Sequence, residues 1–220
     1  MKVIELNKSV TEDNDEDARQ IREDMRQKGT LLVNLMSSPG SGKTTLLTRI
    51  VSDMKDRLNI GILEADIASD VDAIRAEQAG ARVIQAHTDG MCHMDALMTK
   101  KAMDEMGAEG MDLIFLENVG NLICPAEFDT GAGCNLMILS LPEGDDKPLK
   151  YPLMFQVSDG LVITKTDTAP YFDFDMKACR ERVLALNPDI RIFPVSARTG
   201  EGMDELEAWL EEKIADWRNK

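Results

Sequence analysis

The chain has 220 residues, room for one large domain with a buried core. Its 25 basic residues stand against 40 acidic ones, a formal net charge of −15, so phosphate backbones and anionic lipid are repelled and neither nucleic-acid nor membrane-surface binding is expected. A hydrophobic share of 43% excludes wholesale disorder, and no apolar run approaches the ~18 residues of a membrane span.

Met1 to Ile21 alternates charge and lacks the apolar stretch of a secretory signal. With four cysteines, this points to a reducing cytoplasm, where thiols serve packing, metals or chemistry. Thr11 to Lys28 is nearly all polar, with sparse Ile21 and Met25. It reads as an exposed helix, weakly docked by a thin stripe and ended by Gly29. Residues 1–29 are expected to be an acidic helical extension and residues 30–220 the main domain.

From Thr30 onward short apolar runs alternate with helical patterns. The runs Leu31 to Met36, Ile60 to Glu64, Arg82 to Ala86, Asp112 to Leu116, Leu136 to Leu141, Leu161 to Thr164 and Ile190 to Val195 read as strands. Helices are expected over Thr44 to Asp56, Asp70 to Ala79, about Met94 to Met106, Asp173 to Leu186 and Met203 to Trp217. This is an α/β pattern: a mostly parallel sheet with helices on both faces, whose ligands collect at the carboxyl ends of the strands.

After the first strand comes Ser37-Ser38-Pro39-Gly40-Ser41-Gly42-Lys43-Thr44-Thr45, which opens a helix. Strand, GSGKTT and helix in that order are the phosphate loop of a P-loop NTPase, although Ser37 stands where the pattern has glycine. Gly40 and Gly42 let backbone N–H groups turn inward around an anion, with Ser41 between them. Lys43 is placed for the β- and γ-phosphates, Thr44 for Mg²⁺, and Thr45 for the remaining phosphate contacts.

The strand ending at Thr164 runs into Lys165-Thr166-Asp167. An aspartate there accepts two hydrogen bonds from guanine, a donor pair that adenine lacks, and the lysine stem can lie over the purine. Ser196 and Ala197, after the last strand, are placed for the guanine carbonyl oxygen. GTP is therefore expected over ATP, although Thr164 replaces the usual asparagine. Asp66 and Glu117 end strands that face the phosphate loop and are candidate Mg²⁺ ligands. Asp72 is a candidate for positioning water, Ile67 to Asp72 the first switch, and Gly120 a donor to the γ-phosphate.

Cys92, His93 and Cys124 form a soft donor set suited to Ni²⁺ or Zn²⁺. The spacing carries no C-x-x-C, and three ligands are one short of a closed tetrahedral site, so the residues alone leave a metal site and simple packing both open. A two-fold dimer would supply six. Cys134 and Cys179 read as core thiols, and His87 as packed or solvated.

The chain resembles the HypB family, the nickel-handling GTPases of hydrogenase maturation, over about Leu31 to Leu210. The matching residues are SSPGSGKTTLL, Cys92-His93-Met94-Asp95-Ala96, Glu117 to Pro125 (ENVGNLICP), Glu143 to Lys147 with the following Pro-Leu-Lys-Tyr-Pro, and Asp66 with Asp72. The resemblance implies GTP-dependent homodimers and an interfacial Ni²⁺ or Zn²⁺ site made by Cys92, His93 and Cys124. It also implies two partners, a HypA-type nickel chaperone and the hydrogenase large-subunit precursor. Residues 1–28 contain no Cys or His, so the nickel-storage tracts of some family members have no counterpart there.

The expected enzyme hydrolyses GTP, with Lys43, Asp66, Asp72 and Glu117 in its machinery, and couples hydrolysis to metal release. No arginine finger is legible in cis, so turnover alone is expected to be slow. Three rivals stand beside it: a P-loop small-molecule kinase, a urease-type nickel GTPase, and a nucleotide-gated metal buffer without a client.

Overall fold

The computed structural model describes residues 6–65, 70–88 and 90–219. Seven strands are found among them: β1 (Leu31–Ser37), β2 (Ile60–Glu64), β3 (Arg82–Gln85), β4 (Leu113–Glu117), β5 (Cys134–Ser140), β6 (Gly160–Thr164) and β7 (Arg191–Pro194). They form one sheet in the order β3-β2-β4-β1-β5-β6-β7, with every pairing parallel. All seven residues of β1 are buried, because a central parallel strand covered on both faces has no solvent side to make polar.

Nine helices occur among the described residues: α1 (Leu6–Lys28), α2 (Lys43–Met54), α3 (Asp70–Ala79), α4 (Ala96–Met106), α5 (Cys124–Glu127), α6 (Lys147–Lys150), α7 (Pro152–Gln156), α8 (Met176–Leu186) and α9 (Met203–Arg218). The two sheet faces feed separate cores. Leu136 and Ile138 of β5 join Leu46 and Ile50 of α2 and Trp209 of α9. Met137 and Leu139 point the other way and join Phe155 of α7 and Val183 of α8. This is the period-2 alternation of a strand expressed as two packing layers. No described helix is long and apolar enough to cross a membrane.

Several details differ from the sequence expectation. The short helices α5, α6 and α7 were not foreseen, since four or five residues carry no periodic pattern. Each has proline in its first positions, Pro125, Pro148 and Pro152, where the missing N–H is not needed. Helix α8 starts at Met176, capped by Asp175, whose carboxylate accepts from Ala178 N. Helix α4 starts at Ala96 rather than near Met94, capped by Asp95, and Cys92 and His93 lie in the loop before it.

Helix α1 docks more firmly than its composition suggested. It packs against α4, and Ala18, Ile21 and Met25, spaced at i, i+3 and i+7, are buried in the main core. Arg22 makes a two-pronged pair with Asp129, at 2.8 and 2.6 Å. Asn14 donates to Asp129 O and accepts from Ala96 N, both at 2.9 Å.

Candidate nucleotide and metal site

The carboxyl ends of β1, β2, β4 and β6 meet around the phosphate loop. Ser37 closes β1 in ordinary backbone geometry: among the described residues, Lys165 alone combines a side chain with positive φ. The glycine of the usual pattern is therefore not needed at position 37. Gly42 is needed, because its φ of 95° places it in the left-handed region at the N-cap of α2. No side chain caps that helix, so the N–H groups of its first turn remain available to an anion. Ser41 and Lys43 are buried in the loop, and Thr44 and Thr45 follow on the first turn of α2.

The two expected base-reading loops are bonded to this loop and to each other. Thr164 Oγ1 donates to Ser41 O at 2.6 Å, and Lys165 Nζ donates to Gly40 O at 2.7 Å. Ser196 Oγ donates to Asp167 Oδ1 at 2.7 Å, and Thr166 N donates to Val195 O. From Thr44 and Thr45 to Ala197 runs a cavity of about 370 Å³, with Thr48, Arg49 and Arg75 on its wall. Thr44 and Thr45, at the end of the phosphate loop, and Ala197 of the second base-reading loop thus border one space.

Beside Thr44 lies a void of about 10 Å³, the size of one water or a small ion, lined by Glu117 and Glu64 together with the apolar Leu47, Ile62, Ala73, Ala76 and Val83. The two carboxylates end adjacent strands in direct register, and both are buried. A hydroxyl and two carboxylates are hard oxygen donors, a set that fits Mg²⁺. Glu64 was missed by sequence reasoning. Part of its signal was available, an acidic residue closing an otherwise apolar strand; its register against Glu117 was not. Asp66 lies outside the described residues, as do residues 67–69 of the expected first switch and the Asp72 side chain. Position 72 itself falls within α3.

The second cluster lies where β4 leads toward α5. The ligand atoms of Cys92, His93 and Cys124 all lie within 4.8 Å of one another. Cys92 is exposed, Cys124 half-buried and His93 buried. Cys92 Sγ sits 3.5 Å from His93 Nδ1. The His93 ring stacks on Phe128, with centroids 3.9 Å apart and planes 16° from parallel. Burial pushes the imidazole below its ordinary pKa, against the pull of Asp95 and Glu127, which favours the neutral, ligating form. The Cys124 thiol raises the Cys92 thiol above its ordinary value. Two thiols and one imidazole gathered within 4.8 Å, with Cys92 open to solvent, can take a soft or borderline divalent ion and leave a coordination position open.

Residues 31–194 match the family model described as CobW/HypB/UreG, nucleotide-binding domain. The hydrogenase maturation factor HypB of Rhizobium leguminosarum bv. viciae is 44% identical over 214 residues, which is 97% of this chain and 72% of that protein. The chain belongs to the HypB family. The crystal structure of HypB from Archaeoglobus fulgidus superposes with a TM-score of 0.87 at 33% identity, covering 92% of this chain and 98% of that one. The structure of HypB from Helicobacter pylori in complex with nickel gives 0.86 at 37% identity, covering 93% and 96%. As a HypB-family chain it has the fold of the P-loop GTPases.

The remaining thiols and histidine stay apart from both clusters. Cys134 and Cys179 are buried, and burial raises both thiols, Cys179 to about 11, so neither is poised to react. His87 is exposed. Gly120 lies against the phosphate loop, where a Cβ would meet Pro39 at 3.0 Å.

Proposed function

We propose that the chain is a GTP-hydrolysing metallochaperone that binds Ni²⁺, or Zn²⁺ in its place, through Cys92, His93 and Cys124 and serves nickel insertion during [NiFe] hydrogenase maturation. One observation carries the reading. The Glu117–Cys124 segment begins at the candidate Mg²⁺ ligand and ends at a candidate metal thiolate, so a single stretch of chain belongs to both sites. The nickel complex of the Helicobacter pylori relative supports the choice of cargo.

Asp167, oriented by Ser196, receives the guanine N–H groups, and Ala197 N lies beside its carbonyl oxygen. Gly40, Ser41, Gly42, Lys43 and Thr45 hold the phosphates. Thr44, Glu117 and Glu64, with Asp66, hold Mg²⁺, which supplies charge neutralisation on the phosphates when bound. Lys43 neutralises the charge that develops as the γ-phosphoryl moves to water and GDP departs. Asp72 is the candidate that orients that water. Gly120 N–H reaches the γ-phosphate and releases it on hydrolysis.

GTP closes a homodimer in which two Cys92–His93–Cys124 sets face each other. Hydrolysis loosens that clamp, and the ion passes to a HypA-type nickel chaperone or the hydrogenase large-subunit precursor. Residues 1–29 form an extension whose helix α1 docks on the GTPase domain of residues 30–220, in a reducing cytoplasm that keeps the thiols free.

The test is Ni²⁺ titration with a non-hydrolysable GTP analogue and with GDP, read together with sedimentation. Tighter metal retention and dimerisation with the analogue are expected, and both should vanish in Cys92→Ser and Cys124→Ser. Metal binding and self-association indifferent to nucleotide would overturn the reading. Competition with ATP, with Asp167→Asn as the control, separates it from a kinase: the substitution should cost on the order of 10²-fold or more in GTP affinity.

A further inference from the structure

The second-switch segment touches the metal loop through two asparagines placed on either side of His93. Asn118 Oδ1 accepts from Met94 N at 3.0 Å, and Asn121 Nδ2 donates to Cys92 O at 3.3 Å. The two grips differ in what holds each side chain. Asn118 is buried and locked to the sheet: its N donates to Leu35 O, and its Nδ2 to Asn34 Oδ1 at 3.0 Å. Asn34 in turn donates to Asn135 Oδ1 at 3.1 Å. This chain of amides crosses β1 and fixes the orientation of Asn118, because turning any amide over would set donor against donor.

The Asn121 side chain is not tied into that chain of amides, and the residue touches three functional parts at once. Its backbone N donates to Ser37 O of the phosphate loop at 2.8 Å. Its Oδ1 accepts from Ile123 N at 2.8 Å and Cys124 N at 3.3 Å, capping the turn that carries one thiol. Its Nδ2 holds the carbonyl of the residue that carries the other. The preceding residue, Gly120, packs so closely on Pro39 that a Cβ would meet it at 3.0 Å, so residues 120–121 are in direct contact with the phosphate loop.

We propose that Asn121 is the positioning residue through which nucleotide state sets the spacing of Cys92 and Cys124. When the 120–121 segment moves with the terminal phosphate, the Cys124 turn capped by Asn121 moves with it, while Asn118 holds Met94 and restrains the Cys92 end of the loop, so the two thiols shift by different amounts. The ion feels the nucleotide as a change in the distance between its two sulfur donors. This inference rests on the nucleotide-coupled metal site proposed above.

Two variants separate the arms of the amide. Asn121→Asp keeps an oxygen for the Ile123 and Cys124 N–H groups but loses the donor to Cys92 O. Asn121→Ala loses both arms. For each, the Ni²⁺ dissociation constant is measured with GDP and with a GTP analogue, by chelator competition and by the nickel–thiolate charge-transfer band. Nucleotide affinity and thermal midpoint are measured alongside.

In the wild type the two constants are expected to differ by about 5- to 150-fold, the usual span of coupled sites. In Asn121→Asp their ratio should fall below about twofold, with the nickel–thiolate band retained and nucleotide affinity unchanged. In Asn121→Ala the ratio should collapse in the same way, with weaker binding in both states. A wild-type ratio near one sinks the underlying reading. A normal wild-type ratio that persists in both variants sinks this inference alone. So does equal loss of metal in both nucleotide states by Asn121→Asp, since that marks a purely structural role.

Discussion

The Thr164 hydroxyl donates a 2.6 Å hydrogen bond to the carbonyl oxygen of Ser41, tying the end of β6 to the middle of the phosphate loop. Thr164 stands where the usual guanine-binding motif has asparagine, and it keeps one of the duties that a short polar side chain can perform there. Both groups are buried, so the bond is not exchangeable for water.

Thr164→Val preserves shape and removes the donor. It should lower stability by about 1–3 kcal/mol, because the Ser41 carbonyl is left without its partner. GTP and GDP affinities should fall together, since the loop geometry they share is loosened. Chemical denaturation and fluorescent-nucleotide titration check this; a loss confined to one nucleotide would contradict it.

The stack of His93 on Phe128 holds the imidazole face-on with ring centroids 3.9 Å apart. An aromatic pair of this kind contributes about 0.5–1.5 kcal/mol beyond burial. Phe128→Leu should therefore weaken Ni²⁺ binding by about 2- to 12-fold, while leaving GDP affinity as it was. Chelator competition on the purified variant gives the answer, and unchanged metal affinity would show that the ring is held by other contacts.

The Arg22–Asp129 pair anchors α1. Burial works to raise the Asp129 pKa, but the Arg22 hydrogen bond, the Gly131 N–H and the Arg22 charge outweigh it and hold the carboxyl below its ordinary value. A depressed pKa means that the pair stabilises fully above the ordinary aspartate range and loses its effect as pH falls through the folded-state value. Arg22→Met should cost about 1–2 kcal/mol near neutral pH. The gap between wild type and variant should close in acid, and urea melts across pH measure it.

Glu207 of α9 has the opposite sign. Burial, then the charge and hydrogen bond of Asp53, raise its pKa from 4.5 to about 7, with Arg57 opposing. The folded protein holds this proton between those two values while the unfolded chain has lost it. Stability therefore falls as pH rises through that window. Glu207→Gln should raise the thermal midpoint relative to wild type at about pH 8 and lose that advantage toward about pH 4.5. A constant difference across pH would show that Glu207 does not titrate there.

Much of this was legible before any coordinates. The apolar runs named all seven strands, because a parallel strand buried on both faces cannot hide its composition. GSGKTT, KTD and the Cys92-His93 and ENVGNLICP segments marked the elements of the candidate site, because phosphate loops, base-reading loops and soft ligands each demand particular side chains. Local length set the limit. Helices α5, α6 and α7 are too short to show a period, and the start of α4 was misjudged by two residues because its apolar pattern begins at Met94, before the Asp95 cap.

Sequence by itself determined the fold class and the inventory of chemical groups, since burial and ligation select residue types one position at a time. Tertiary structure alone decided which groups meet. The register of β2 on β4 sets Glu64 beside Glu117, the packing of β6 on the phosphate loop gives Thr164 its partner, and a turn after β4 lets the Asn121 amide reach both Cys92 and Cys124. Hydrogen bonds between segments 29 or more residues apart depend on distances of a few ångströms, and no local pattern in the chain encodes those distances.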